Sequence, residues 1–149
     1  MEATPLKPGA LAPQFTLRTQ DGTEYSRSQF RNKSGLALIF IPKASDRAAI
    51  PLLEALSAAA DEFTKLKTRI FIVVAQPPGV EMRGLTFLAD SDGTIWSAYS
   101  GLEQPAYGVF ILDLYGGVDS QSAGNDPSAL RDADTIREWM QAAMYKCSI

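Results

Sequence analysis

The chain has 149 residues, 46% of them apolar and 21% charged, with a formal net charge of −3. That length supports one domain with its own core, and the charge balance excludes a protein that binds nucleic acid by neutralising phosphates. Histidine is absent and cysteine occurs once, at Cys147, so counting alone excludes an intramolecular disulfide, a Cys/His metal cluster and any histidine-dependent catalytic pair.

The lead carries Pro5, Pro8 and Pro13 and reads as extended and irregular. It has no apolar run of signal-peptide length, and no later run reaches bilayer-spanning length, so the expectation is a cytoplasmic protein without membrane contact. Residues 14–18 alternate polar and apolar, with Phe15 and Leu17 on one face of a half-buried strand. Asp21-Gly22 marks a hairpin turn, residues 23–25 the return strand, and residues 26–30 a single helical turn that tucks Phe30 inward.

Residues 35–41, Gly-Leu-Ala-Leu-Ile-Phe-Ile, form a nearly continuous apolar run, as in a strand buried on both faces. An amphipathic helix is predicted from about Asp46 to Lys67. Its stripe is Leu52, Leu53, Leu56, Ala59, Ala60, Phe63 and Leu66, with a kink expected from Pro51 inside it. Residues 69–74 are a second apolar strand, which makes a right-handed βαβ unit. A loop at 76–79, an extended segment at 85–88, a turn at 90–93 and a short helix from Thr94 to Tyr99 follow. Val109 to Leu112 is a third buried strand, followed by a Gly116-Gly117 turn. A polar strand near 118–121, a loop from Ser122 to Asp132 and a final helix capped by Asp134 complete the chain. That last helix carries Ile136, Trp139, Met140, Ala143 and Met144, read as core. The two long helices are expected on opposite faces of the sheet.

A strand, a tight loop and a helix N-terminus together are where α/β proteins usually bind ligands. The loop offers Lys43, Ser45, Asp46 and Arg47 as a polar binding site, against the plainer reading of Ser45 and Asp46 as a helix cap. No metal site and no cofactor are read from the acidic residues. Cys147, beside Lys146, reads as an ordinary thiol in a frayed tail, with a redox role as the alternative.

The order of elements resembles the thioredoxin fold in its redoxin form. That group comprises the peroxiredoxins of the alkyl hydroperoxide reductase/thiol-specific antioxidant type and the periplasmic thiol–disulfide oxidoreductases. The motifs that carry the likeness are Pro8-Gly-Ala-Leu-Ala-Pro-Gln-Phe-Thr-Leu17, Asp21-Gly22, Phe40-Ile-Pro-Lys-Ala44, Leu88-Ala-Asp-Ser-Asp-Gly93 and Phe110-Ile-Leu-Asp113. The fold this implies is α/β: a central mixed sheet with helices on both faces and an N-terminal hairpin, one domain over residues 1–149.

Against a peroxiredoxin, the resemblance places the peroxidatic cysteine at Ala49, the hydroxyl residue three before it at Asp46 and the arginine at Tyr107. Against the oxidoreductases, the two cysteines fall at Lys43 and Asp46, and the cis-proline at Tyr107 or at Pro105. Under both alignments no cysteine lies between Gly35 and Lys67. Three functions follow, in order: a redoxin-like protein without thiol chemistry that binds a protein or small-molecule partner through Lys43, Ser45, Asp46, Arg47 and Tyr107; a weak one-cysteine peroxidase using Cys147; and an assembly role as a homo-oligomer.

Overall fold

The computed structural model describes residues 9–43, 45–75, 82–101 and 107–147. The strands are β1 (Thr16–Arg18), β2 (Glu24–Ser26), β3 (Gly35–Phe40), β4 (Thr68–Val74), β5 (Thr86–Ala89), β6 (Tyr107–Leu112) and β7 (Val118–Gly124). The helices are α1 (Ile50–Ala58), α2 (Ala60–Lys65), α3 (Thr94–Ser100) and α4 (Ala133–Cys147). All seven strands form one sheet in the order β2-β1-β5-β4-β3-β6-β7. The three apolar runs are its centre: β3 is parallel to β4, with Leu38 opposite Phe71, and antiparallel to β6, with Leu38 opposite Phe110. The predicted turn at residues 26–30 is a 3₁₀ turn at Arg27–Gln29, and Phe30 is buried behind it.

Alternation along the central strands sorts the core into two layers. Ala37, Ile39, Ile70, Ile72, Val109 and Ile111 meet Leu53, Leu56 and Phe63 of α1 and α2. Ile136, Met140 and Ala143 of α4 pack into that same layer. The expectation of two long helices on opposite faces is therefore wrong; both lie on one face. Small residues on β3 make the room, for a side chain at Gly35 would stand 2.9 Å from the Met144 sulfur and 3.1 Å from that of Met140. The opposite face is already filled by Leu36, Leu38, Phe40, Phe110, Trp96 and Tyr99, with α3 as its cover.

The central helix also differs from its prediction. It begins at Ile50 and is divided at Ala59, where φ is −94° and ψ is 8°. The start follows from Pro51. Ile50 N–H donates to the Asp46 carbonyl at 3.1 Å, but Pro51 has no N–H for the Arg47 carbonyl, and regular helix resumes from Ala49, which accepts from Leu53 at 3.0 Å. Proline thus stands in the first turn, where a missing donor costs nothing, and the expected interior kink is absent. The break at Ala59 lies beside a close approach: a Cβ at Gly84 (φ +78°) would lie 2.2 Å from that of Ala60. In Pro51→Ala, the amide at position 51 should bond to the Arg47 carbonyl and extend the helix toward Asp46. Stability should move by no more than about 1 kcal/mol, one new hydrogen bond being offset by a looser unfolded chain. Hydrogen exchange checks it, and an unprotected amide at position 51 would refute the account.

Two boundaries at the C-terminal end move as well. β7 runs to Gly124, into the stretch expected to be loop, because its small polar residues pair along β6 from Tyr107 to Ile111 at a sheet edge. The cap of α4 is Asp132 rather than Asp134: its Oδ1 accepts from Thr135 N–H at 2.7 Å, while Asp134 lies inside the first turn.

Candidate functional site

The parallel β3 and β4 and the antiparallel β6 bring three chain segments to one end of the sheet. These are the loop after β3, the N-terminus of α1 and the first residue of β6, Tyr107. Asp46 ties them together. Its backbone N–H donates to the Lys43 carbonyl at 3.1 Å, and its own carbonyl accepts from Ala49 at 3.0 Å and from Ile50 at 3.1 Å. One carboxylate oxygen, Oδ1, accepts from Ala48 N–H at 2.9 Å. The other, Oδ2, accepts from the Tyr107 hydroxyl at 2.5 Å. Asp46 therefore caps the turn that precedes α1, and α1 itself has Ala49 at its N-cap and no side-chain cap.

The candidate residues divide by exposure. Lys43, Ser45 and Arg47 are exposed, Asp46 and Tyr107 are half-buried, and Ala49 is fully buried. Among the described residues no ion pair holds Lys43 or Arg47. The rim of the site is thus cationic and exposed, while Ala49 belongs to the apolar core. The short Asp46–Tyr107 bond is the feature the sequence did not disclose, because 61 residues separate the partners. A second acidic residue, Asp126, also acts on Tyr107 through its charge. The signal that could have found it is local: Asp126 precedes Pro127 and caps the turn there, accepting from Ser128 N–H at 2.8 Å. Pro105 lies outside the described residues, and so does the thiol of Cys147, whose backbone closes α4.

The phenol of Tyr107 is pushed up to about 12, first by its hydrogen bond to Asp46, then by burial and by the charges of Asp46 and Asp126. The sign follows directly. The folded value lies above the ordinary value of 10, so this contribution to stability is complete below pH 10 and is lost as pH rises through 12. Asp46→Asn should return the phenol toward its ordinary value. Tyrosinate absorbance, read as the difference between each protein and its Tyr107→Phe counterpart, measures this. An unchanged midpoint in Asp46→Asn would remove the carboxylate as the cause.

This arrangement defines a class: a thioredoxin-like α/β protein of peroxiredoxin type, with loop, helix N-terminus and antiparallel neighbour converging at one sheet end. A model of the AhpC/TSA family matches residues 8–121, and the chain belongs to that family. Among solved structures it is similar to the reduced 2-Cys peroxiredoxin of Plasmodium vivax, at 21% identity and a TM-score of 0.81, over 97% of this chain and 85% of that one. It is similar too to the mitochondrial 2-Cys peroxiredoxin of Plasmodium falciparum, at 16% and 0.79, over 95% and 96% of the two chains. A peroxiredoxin-like protein from Aquifex aeolicus aligns at 15% and 0.78, over 93% and 88%. At such identities the likeness establishes the fold. Comparison with curated proteins returns no match. Among the described residues, no group of three or more acidic or cysteine side chains could hold a metal, and no helix is long and apolar enough to cross a membrane.

Proposed function

We propose that this chain is a member of the AhpC/TSA family that works by binding a protein or small-molecule partner rather than by reducing peroxides at the helix N-terminus. One observation carries the reading: Asp46 and Tyr107 are hydrogen-bonded to each other, and position 49 holds a fully buried alanine. Peroxide reduction needs a thiolate at the helix end and donors free to stabilise charge moving onto the peroxide oxygens. Ala49 supplies no nucleophile. Asp46 is an anion where the family places a hydroxyl, and it would oppose a neighbouring thiolate. Tyr107, where the family places an arginine, has its one O–H donor already engaged. What stays accessible is the polar rim of Lys43, Ser45 and Arg47, which suits an anionic or hydrogen-bonding partner.

The test is peroxide consumption with a dithiol reductant, comparing wild type with Cys147→Ser. Both should give only the uncatalysed background. Turnover in the wild type that vanishes in Cys147→Ser would replace this reading with the one-cysteine peroxidase.

A further inference from the structure

At the opposite end of the sheet from Asp46 and Tyr107, cations from two separate stretches of chain meet. Parallel pairing sets Gly35 opposite Thr68 and Leu36 opposite Arg69, and Gly35 N–H donates to the Lys67 carbonyl at 3.0 Å. The turns before β3 and β4 are thereby neighbours, and between them they present Arg31, Lys33, Lys65, Lys67 and Arg69, all exposed. These are five of the chain's 14 lysines and arginines. Among the described residues none of the five is in an ion pair. Other segments close on the same end. Asn32 N–H donates to the Leu114 carbonyl at 2.7 Å, Leu11 bridges to Gly117, and Met144 of α4 packs at Gly35. They bring the exposed apolar side chains Leu11, Tyr115 and Tyr145. The turns that meet here carry one acidic residue, Asp113.

Two details mark this surface as more than a solvated sheet end. The guanidinium carbon of Arg69 lies 5.4 Å from the centre of the Phe30 ring and 5.7 Å from those of Tyr25 and Phe71. The rings restrict the planar group, so its outward donors are aimed in advance and lose little freedom when a carboxylate arrives. Lys67, one residue past the C-cap of α2, has φ 56°. Glycine takes that conformation without cost, and lysine does not. A helix end favours a cation, but Lys65 in the last turn already supplies one. The chain thus keeps a strained lysine on this surface where its own fold is better served by glycine.

We infer that this end of the sheet docks an acidic segment of a partner protein, a stretch of Asp and Glu with apolar side chains among them. Its carboxylates meet Arg31, Lys33, Lys67 and Arg69, and its apolar side chains cover Tyr115 and Leu11, an exposed aromatic and an aliphatic beside the cations. The rest of the molecule selects a short segment over a membrane or a nucleic acid. The whole chain has a net charge of −3, so its flanks repel a polyanion that extends beyond this end. The surface is separate from the rim of Lys43, Ser45 and Arg47, and its assignment does not rest on the role proposed for that rim.

The test is titration of the full chain into a labelled synthetic peptide, rich in glutamate and carrying phenylalanine, read by fluorescence anisotropy. Saturable binding that weakens as salt rises is expected, with none for the peptide in which glutamine replaces glutamate. Lys67→Gly separates binding from folding: it should raise the urea midpoint by relieving the left-handed turn, yet weaken binding severalfold. Arg31→Ala with Lys33→Ala should weaken binding about fivefold or more at an unchanged urea midpoint. No saturable binding of the glutamate peptide would overturn the assignment. So would undiminished affinity in Lys67→Gly and in Arg31→Ala with Lys33→Ala, or an equal loss in Lys43→Ala with Arg47→Ala, which would move the peptide to the other end of the sheet. Tighter binding of a single-stranded oligonucleotide or of phosphatidylserine vesicles would replace the partner protein with nucleic acid or membrane. Self-association of the free chain in light scattering, abolished by the same substitutions, would replace it with a second copy.

Discussion

Asp90→Ala should destabilise the protein by about 2–4 kcal/mol, a fall of roughly 1–2 M in the urea midpoint. Asp90 is 4% exposed, and it closes the N-terminus of α3 from outside the helix. The residue at the cap position is Gly93, which has no side chain to offer. Asp90 reaches over it, accepting from Ile95 N–H at 3.2 Å with Oδ1 and from Trp96 N–H at 2.8 Å with Oδ2. Its own N–H donates to the Val74 carbonyl at 2.8 Å, which anchors the turn to the end of β4. Alanine leaves one buried and one half-buried helix donor without acceptors and lets go of the element that carries Trp96 and Tyr99 into the aromatic layer. Asp90→Asn retains one acceptor oxygen and should fall between the two. A value for Asp90→Ala within about 0.5 kcal/mol of wild type would mean that packing alone holds α3.

The same aspartate shows what was legible in the chain and what was not. A turn at residues 90–93 followed by a short helix was readable from composition, because Asp, Ser and Gly have local reasons to turn. That Asp90 is the buried cap was not readable, since Asp92 stands nearer the helix and caps the exposed Thr94 N–H instead. The central strands were legible for a related reason. Runs such as Arg69-Ile-Phe-Ile-Val-Val are apolar on both faces, which only a buried strand tolerates. For that very reason they carry no information on which face a later helix will choose, and α4 was placed on the wrong one. The choice is made by residue size, Gly35 and Ala37 against the aromatic layer, and size matters only once strands are paired.

The site was half legible. The positions Lys43, Asp46, Ala49 and Tyr107 followed from motif register, and the fold does bring Asp46 and Tyr107 to one point. Their mutual hydrogen bond is a tertiary fact between residues 61 apart, and no spacing rule reaches it.

Restoring thiol chemistry should require three substitutions, and one alone should fail. In Ala49→Cys the introduced thiol takes a fully buried position, one helical turn from Asp46, whose backbone carbonyl accepts from the amide of residue 49. Burial and the neighbouring anion both hold a thiol protonated, and a protonated thiol does not attack peroxide. Asp46→Thr removes the anion and provides a hydroxyl; Tyr107→Arg replaces a donor committed to Asp46 with a cation able to serve both the thiolate and the departing oxygen. With Cys147→Ser as the common background, the triple variant should exceed Ala49→Cys in peroxide consumption by about 10²-fold or more, the scale on which single oxyanion donors act. The intermediate pairs matter as much. If the Asp46 carboxylate is the obstacle, Ala49→Cys with Asp46→Thr should gain more than Ala49→Cys with Tyr107→Phe, which breaks the same hydrogen bond but leaves the carboxylate in place. Equal rates for the single and triple variants would show that this pair does not limit the chemistry, and the binding role argued from it would lose its support.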